Sequence, residues 1–498
     1  MTSHAASESY AAVDLGANSF HMIVANYADG RLQVIDRLKD MVRLASGLDS
    51  RHNLNPDAVE RAIQCLERFG QRIGEIPRVN VRAVGTNALR QARNGRTFLA
   101  EARKALGHPI EIIAGREEAR LIFLGVAHTI HHPTERRLIV DIGGGSTELI
   151  IGAGFHPSHL ESLYMGCVST SERFFSDGEI SAKRMRRALL FARQELEGVE
   201  ATYRKAGWDA AIGASGTIIA ISDSIAECGW GKGEITVDGL EKLRDHLVSA
   251  GNVSALAFTS VSERRRPVFP GGVAILSAAF EALKIERMTI SDGALREGLL
   301  YDLIGRAHDR DVRNKTITDL VERYGADAEQ GKRVRTTAMD LFRQVRKAWT
   351  LDSRADGMLL KWAADAHEIG LSIAHAQYHR HAAYLLANSD LPGFSREEQF
   401  SLAMLVRLHR RRLALEELQQ LSDPDRPRIF RLCVLLRLAV LLNRSRSAAL
   451  PEIGAAAADA TLDLAFPQGW LDDHPLTQTD LESEREFLAA AKFELKFA

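Results

Sequence analysis

The stretch VDIGGGSTELIIG at residues 140–152 repeats the pattern of VDLGANSFHMIVA at residues 13–25, without a gap and at an offset of 127 residues. Val, Asp, one Gly and Ser recur in register, and the last four positions match apolar with apolar. Each copy reads as an apolar run ending in Asp, a glycine-containing turn and a second apolar run, which is strand, turn, strand. In the first copy Asp29-Gly30 then marks a tight hairpin into a third strand, RLQVID, so the unit is a β-meander. One glycine turn alone would say little. Recurrence in register, each copy leading its own α/β segment, constrains the chain to two related lobes.

A glycine-rich turn between strands uncovers backbone N–H groups suited to phosphate oxygens, and an Asp at the strand end suits a cation or its water. Two such turns facing each other would hold one polyphosphate chain. After the first meander, LNPDAVERAIQCLERFGQRI has helical spacing at Val59, Ile63, Leu66, Phe69 and Ile73. VNVRAVGT then reads as a strand running into a helix, NALRQARNGRTFLAEARKAL, and PIEIIAG as a strand running into REEARLIFLGVAHTI. Gly85-Thr86 and Gly115 therefore mark carboxyl ends of strands, the edge at which open α/β sheets bind ligands. Arg90 follows the first of these turns. Glu118 follows the second and shares a helix face with Leu121, Ile122 and Gly125, so it is expected to turn toward the protein. The helix dipole alone also favours acidic residues at that place.

The second half repeats the plan and adds a third glycine loop in AAIGASGTIIAIS, where Gly213, Ser215, Gly216 and Thr217 either contact phosphate or let a helix begin close to a sheet. SDGALREGLLYDLIG closes the second lobe. From about residue 306 the alternation stops and the chain reads as helical, ending in LDLAF and KFELKF around a helix-like DLESEREFLAAA, a small α+β cap. The expected domains are 1–134, 135–305, 306–448 and 449–498.

A formal net charge of −1 argues against a surface built to hold nucleic acid. Cys65, Cys167, Cys228 and Cys433 form no CxxC spacing and read as thiols in a reducing compartment. The N-terminus lacks a signal-peptide pattern, and LCVLLRLAVLL is too short for a membrane span and carries Arg437. A cytoplasmic location without an integral membrane segment is expected, with peripheral attachment left open.

The duplicated meander resembles the actin, sugar kinase and heat-shock chaperone ATPase superfamily. VDLGANSFHM, VGTNALRQA, GREEARLIF, DIGGGSTEL, GASGT and SDGALREG, in this order, resemble the exopolyphosphatase and guanosine pentaphosphate phosphohydrolase family over essentially the whole chain. The resemblance implies two actin-like lobes, a helical HD-like domain and hydrolysis of a terminal phosphoanhydride. It makes Glu118 the base that activates water and Asp141 and Glu148 the acidic residues of a magnesium-linked site. Asn18, Ser19, Arg90, the loop Gly143, Gly144, Gly145, Ser146 and Thr147, and less directly Ser215 and Gly216 are expected around the phosphates. Asp14, the repeat partner of Asp141, is expected to assist the cation; potassium as a further activator is left open. His21 takes the place that Glu148 holds in the other copy and is read as packing or structural. A homodimer is expected by analogy.

In the helical region the HD-like resemblance meets His367-Glu368 and Val440 where metal ligands would be expected, so the ligand set reads as eroded. Basic residues there, among them His379-Arg380-His381, Arg407, Arg410 to Arg412, Arg444 and Arg446, are candidates for holding a phosphate chain. The main functional reading is a magnesium-dependent exopolyphosphatase acting on inorganic polyphosphate, taken from GGGST. The alternative is a phosphatase of guanosine pentaphosphate, toward which PQGWLDDHPL points. A superfamily kinase or a non-enzymatic binder ranks behind both, since no acceptor pocket or Asp base can be located and a binder has no need of an inward Glu118.

Overall fold

The computed structural model describes residues 8–28, 31–129, 135–308, 310–446 and 450–498. It divides into two compact units, Met1–Asp311 and Val312–Ala498. The first contains β1 (Glu8–Leu15), β2 (Phe20–Ala28), β3 (Arg31–Asp40), α1 (Pro56–Ile73), β4 (Val81–Gly85), α2 (Asn87–Gln91), α3 (Gly95–Leu106), β5 (Ile110–Ile112) and α4 (Gly115–Ala127). The second half of this unit follows the same plan. It runs through β6 (Arg136–Ile142), β7 (Thr147–Ala153), β8 (His156–Leu163), α5 (Cys167–Phe174), α6 (Ala182–Ala206), β9 (Ala210–Gly213), α7 (Gly216–Glu227), β10 (Ile235–Thr236), α8 (Val237–Ala250), α9 (Phe269–Leu283), β11 (Arg287–Ile290) and α10 (Leu295–Ala307).

The repeat read from the sequence is a repeat of topology. One sheet has the order β3-β2-β1-β4-β5 and the other β8-β7-β6-β9-β11 with β10 added at its edge. In each, the first three strands are antiparallel and the later ones parallel to the first. The turn Asp29-Gly30 lies outside the described residues. Central strands are buried on both faces, as strands with crossover helices require. Ala11, Val13 and Leu15 of β1 pack toward α1 and α3, while Tyr10 and Ala12 join a second core with Ile139 of β6 and Ile212 of β9. That second core, filled by α4 and α10, fastens the two sheets together.

Where α4 and α10 cross there is no side-chain layer. A Cβ on Gly298 would lie 1.8 Å from the Leu121 carbonyl oxygen, and one on Gly125 would lie 2.1 Å from that of Ala294. Both positions require glycine for close backbone approach. The single helix expected over NALRQARNGRTFLAEARKAL is broken after Gln91. Here tertiary bonds win over helical propensity: Asn94 exchanges hydrogen bonds of 2.9 and 3.0 Å with the Leu54 backbone, and Arg93 N–H donates to the His52 carbonyl.

In the second unit the helices Val312–Arg323, Ala328–Val345, Ala355–Ala366, Tyr378–Asn388, Arg396–Leu408 and Asp425–Leu442 share one core with the sheet formed by Gly454–Ala458, Thr461–Ala465 and Glu494–Phe497. The strand Gly454–Ala458 was missed in the sequence, since its residues are all small. Several of the basic residues expected to hold a phosphate chain are already neutralised: Arg444 pairs with Asp480, Arg407 with Glu417, and Arg446 with Asp327 and Glu368. Among the described residues, no helix is long and apolar enough to cross a membrane.

Candidate active site

Asp14 and Asp141 end equivalent strands, and the ladders fix what stands beside them. Asp14 faces His21 across β1–β2, and Asp141 faces Glu148 across β6–β7. Directly opposed residues share a face of the sheet. One lobe therefore presents a carboxylate beside an imidazole, and the other presents two carboxylates. All four line a cleft of about 380 Å³ together with Glu118.

The turn between β6 and β7 is organised by the helix after it. The Gly143 and Gly144 carbonyls accept from the N–H groups of Cys167 and Val168 at the start of α5, each at 2.9 Å. The Gly143 N–H is spent on the Ser146 carbonyl at 2.9 Å, so donors for an anion come from the rest of the turn. In the GASGT loop the Ser215 hydroxyl oxygen accepts from the backbone N–H of Ile142 and Ile218, capping α7 and tying it to β6. That loop serves helix entry and also lines the cleft.

Glu118 stands in the first turn of α4, and its position is fixed from two sides. Arg90 donates through Nη1 to Glu118 Oε2 at 2.7 Å and to the Ile113 carbonyl at 3.1 Å. Gly115, one turn earlier, lets α4 begin against β8, since a Cβ there would lie 2.5 Å from that of Ser162. Ser162 in turn donates to Glu148 Oε1 at 2.8 Å. The neighbouring Glu117 faces the other way, into a buried ion network. It pairs with Arg120 at 2.7 Å, and Asp302 of α10 receives Arg82, Arg120 and, at 2.8 Å, Arg306. Burial alone would raise the Asp302 carboxyl, but the guanidinium groups of Arg120, Arg306 and Arg82 hold it well below the usual carboxylate range.

The cleft carboxylates show the opposite imbalance. Burial, reinforced by the charge of Glu118, pushes Asp14 up to about 8 and Asp141 up to about 7. Burial, Glu118 and Asp141 also raise Glu148 well above its ordinary value. Asp14 Oδ1 is buried and has no hydrogen-bond partner. A donor set of crowded, under-neutralised carboxylate oxygens fits a hard divalent cation. Among the described residues no three such side chains converge closely enough to hold a bare ion by themselves. The fit is therefore to an ion that keeps several waters and leans on a ligand's phosphates.

Asn18, Ser19, Gly143, Gly144, Gly145, Ser146, Ser215 and Gly216 line the cleft where the sequence reading placed them. Two expected residues do not. Arg90 is held against Glu118, and Thr147 donates its hydroxyl to the Met165 carbonyl at 2.7 Å. His21, read as packing or structural, borders the cleft. Lys39, Arg265 and Arg296 also line it and were missed. Lys39 lies opposite His21 on β3, a pairing visible only once the hairpin register is known. Arg296 stands inside SDGALREG, one of the motifs that carried the family resemblance, for which no site residue was named.

Two family models match the chain: the Ppx/GppA phosphatase family over residues 23–307 and Ppx/GppA phosphatase, domain III, over residues 312–485. The guanosine-5'-triphosphate,3'-diphosphate pyrophosphatase of Vibrio cholerae serotype O1 is 43% identical over 487 residues, 97% of each chain. That of Aeromonas hydrophila is 41% identical over 479 residues, 96% of each chain. Among solved structures, the Aquifex aeolicus PPX-GPPA enzyme is 27% identical with a TM-score of 0.51, covering 59% of this chain and 99% of its own. An exopolyphosphatase from Cytophaga hutchinsonii shares the fold at 24% identity and a TM-score of 0.55, covering 60% of this chain and 98% of its own.

The full-length relatives overturn the exopolyphosphatase reading drawn from GGGST, since their names are those of the pentaphosphate branch. A Cβ on Gly145 would meet the movable Asn87 side-chain amide, its Oδ1 at 2.5 Å, so the third glycine of the turn does not by itself select a substrate. Matched in both units by the family's models and along nearly its whole length by these relatives, the chain belongs to the Ppx/GppA phosphatase family of hydrolases.

Proposed function

We propose that the protein hydrolyses the terminal 5'-phosphoanhydride of guanosine pentaphosphate, releasing phosphate and leaving guanosine 5'-diphosphate 3'-diphosphate. The observation that carries this choice of substrate is the 41–43% identity to two guanosine-5'-triphosphate,3'-diphosphate pyrophosphatases over at least 96% of each chain. The cleft supplies chemistry in keeping with it. Glu118, turned inward and aligned by Arg90, takes the proton of a water that attacks the terminal phosphorus, and the bond from that phosphorus to the bridging oxygen breaks. Lys39, Arg265 and Arg296 stand where charge on the phosphate oxygens needs an opposite partner. The glycine turns offer backbone donors. Asp141 and Glu148, assisted by Asp14, would hold magnesium, which supplies Lewis-acid stabilisation of the phosphoryl charge when bound. Phosphate release measured in parallel on guanosine pentaphosphate and on long-chain polyphosphate tests the proposal. The nucleotide should turn over faster; faster release from the polymer would overturn the choice.

The cation has its own test, read from stability. Asp14 and Asp141 keep protons in the folded protein at pH values where the unfolded chain has lost them. Folding then takes up protons, so the stability of the metal-free protein falls as pH rises from the ordinary carboxylate range toward about 8. Magnesium binds the ionised carboxylates and competes with those protons. It should therefore raise the melting temperature more at pH 8 than at pH 5.5. An equal shift at both pH values, or none, would remove the cation from these residues.

A further inference from the structure

The two lobes carry one chemical difference at their strand ends, His21 in the first where the second has Glu148, and the imidazole is bonded on both sides. Its Nδ1 lies 3.1 Å from Arg296 Nη1, and its Nε2 lies 2.7 Å from Ser19 Oγ. A guanidinium donates and never accepts. Nδ1 must therefore be the acceptor, which leaves the ring neutral with its proton on Nε2. That proton goes to Ser19, whose oxygen accepts it. A hydroxyl that accepts here has its own proton to give elsewhere, and Ser19 borders the cleft.

We propose that Arg296, His21 and Ser19 form a relay of fixed polarity that makes the Ser19 hydroxyl an obligate donor to a phosphate oxygen of the ligand, with His21 as its positioning residue. The inference rests on the reading of the cleft as a phosphate site. Accepting from Arg296 through Nδ1, the His21 imidazole is held in its neutral form. Its one lone pair is taken by Arg296, so it cannot act as a second base. Glu148 shows how a carboxylate orients a neighbouring serine, here Ser162 on the next strand rather than Ser146, the repeat partner of Ser19. Glu148 accepts the hydroxyl proton of Ser162, which turns that serine toward the carboxylate. A glutamate at position 21 would draw the Ser19 proton in the same way and deny it to the ligand.

The test is a double-mutant cycle on full-length protein carrying Glu118→Gln, which allows binding to be measured without turnover, using tripolyphosphate and guanosine pentaphosphate as probes with magnesium. Ser19→Ala and His21→Asn should each weaken binding of both probes about 10- to 100-fold, the range for losing a hydrogen bond to a charged group. The double variant should be no worse than either single one. His21→Gln, which can return an N–H near the Nε2 position, should bind within a few-fold of the parent. In proteins with Glu118 intact, the same changes should appear mainly in KM rather than kcat. Independent, multiplying losses, or unchanged binding in Ser19→Ala, would overturn the relay. Tripolyphosphate binding keeps the two readings apart: a wild-type protein that fails to hydrolyse the nucleotide sinks the substrate assignment, while the cycle on tripolyphosphate still decides the relay. Melting temperatures of the variants guard against a folding defect, and a His21→Asn variant that melts early is replaced in the cycle by His21→Leu.

Discussion

Glu118→Gln should lower kcat by about 10²–10⁴-fold, the range for removing a general base. Nucleotide binding should persist. The substitution is nearly isosteric, and the amide oxygen can still accept from Arg90 at the place where the carboxylate now does at 2.7 Å. Arg90 also keeps its bond to the Ile113 carbonyl. What is lost is the ability to take a proton from water. Single-turnover phosphate release beside equilibrium binding separates the two effects. Turnover within a few-fold of the wild type would show that another group removes the proton, and loss of binding with loss of turnover would make Glu118 a ligand-holding residue instead.

Asp302→Ala should be the most damaging change outside the cleft, at about 3–5 kcal/mol, because removing one member of a buried ion network leaves the other charges uncompensated. Arg82, Arg120 and Arg306 all point at this carboxylate, and Arg82 and Asp302 are 2% and 7% exposed. Glu117 and Glu111, the latter 3.3 Å from Arg82 Nε, would be left to balance three guanidinium groups. The loss should appear as a lower urea midpoint for the full chain. Removing Arg184, whose partners Asp177 and Glu179 are exposed, is the control, with an expected cost below about 1 kcal/mol. Equal effects from the two would mean that water reaches the network around Asp302.

Much of this architecture is legible in the sequence because duplication carries its own check. The Asp14 and Asp141 copies predict each other's strands, and the ladder confirms them residue for residue, Asp14 against His21 and Asp141 against Glu148. Glu118 is legible as well, since helical spacing alone places it on the face of Leu121 and Ile122. What escapes is whatever depends on distant segments meeting. Arg265 and Arg296 reach the cleft from loops and helix starts that no local pattern marks as binding. Arg90 and Thr147 belong to matching motifs, yet their side chains are committed to Glu118 and the Met165 carbonyl. The choice of substrate escaped because one glycine in a turn, Gly145, carried it, and the two readings share the same phosphate chemistry.

The crossing of α4 over α10 has a mechanical consequence. With Gly125 and Gly298 in backbone contact there is no side-chain padding between the helices, so a side chain added at either position would have to tilt or part them about the contact. The crossing is a pivot, and Glu118 rides on one of its arms, seven residues or roughly 10 Å along the helix at about 1.5 Å per residue. A rotation of about 5° about the pivot carries that carboxylate by roughly 1 Å, an error of the size that costs about a hundredfold in rate. Two residues without side chains therefore help to hold Glu118, the proposed base, in place from roughly 10 Å away.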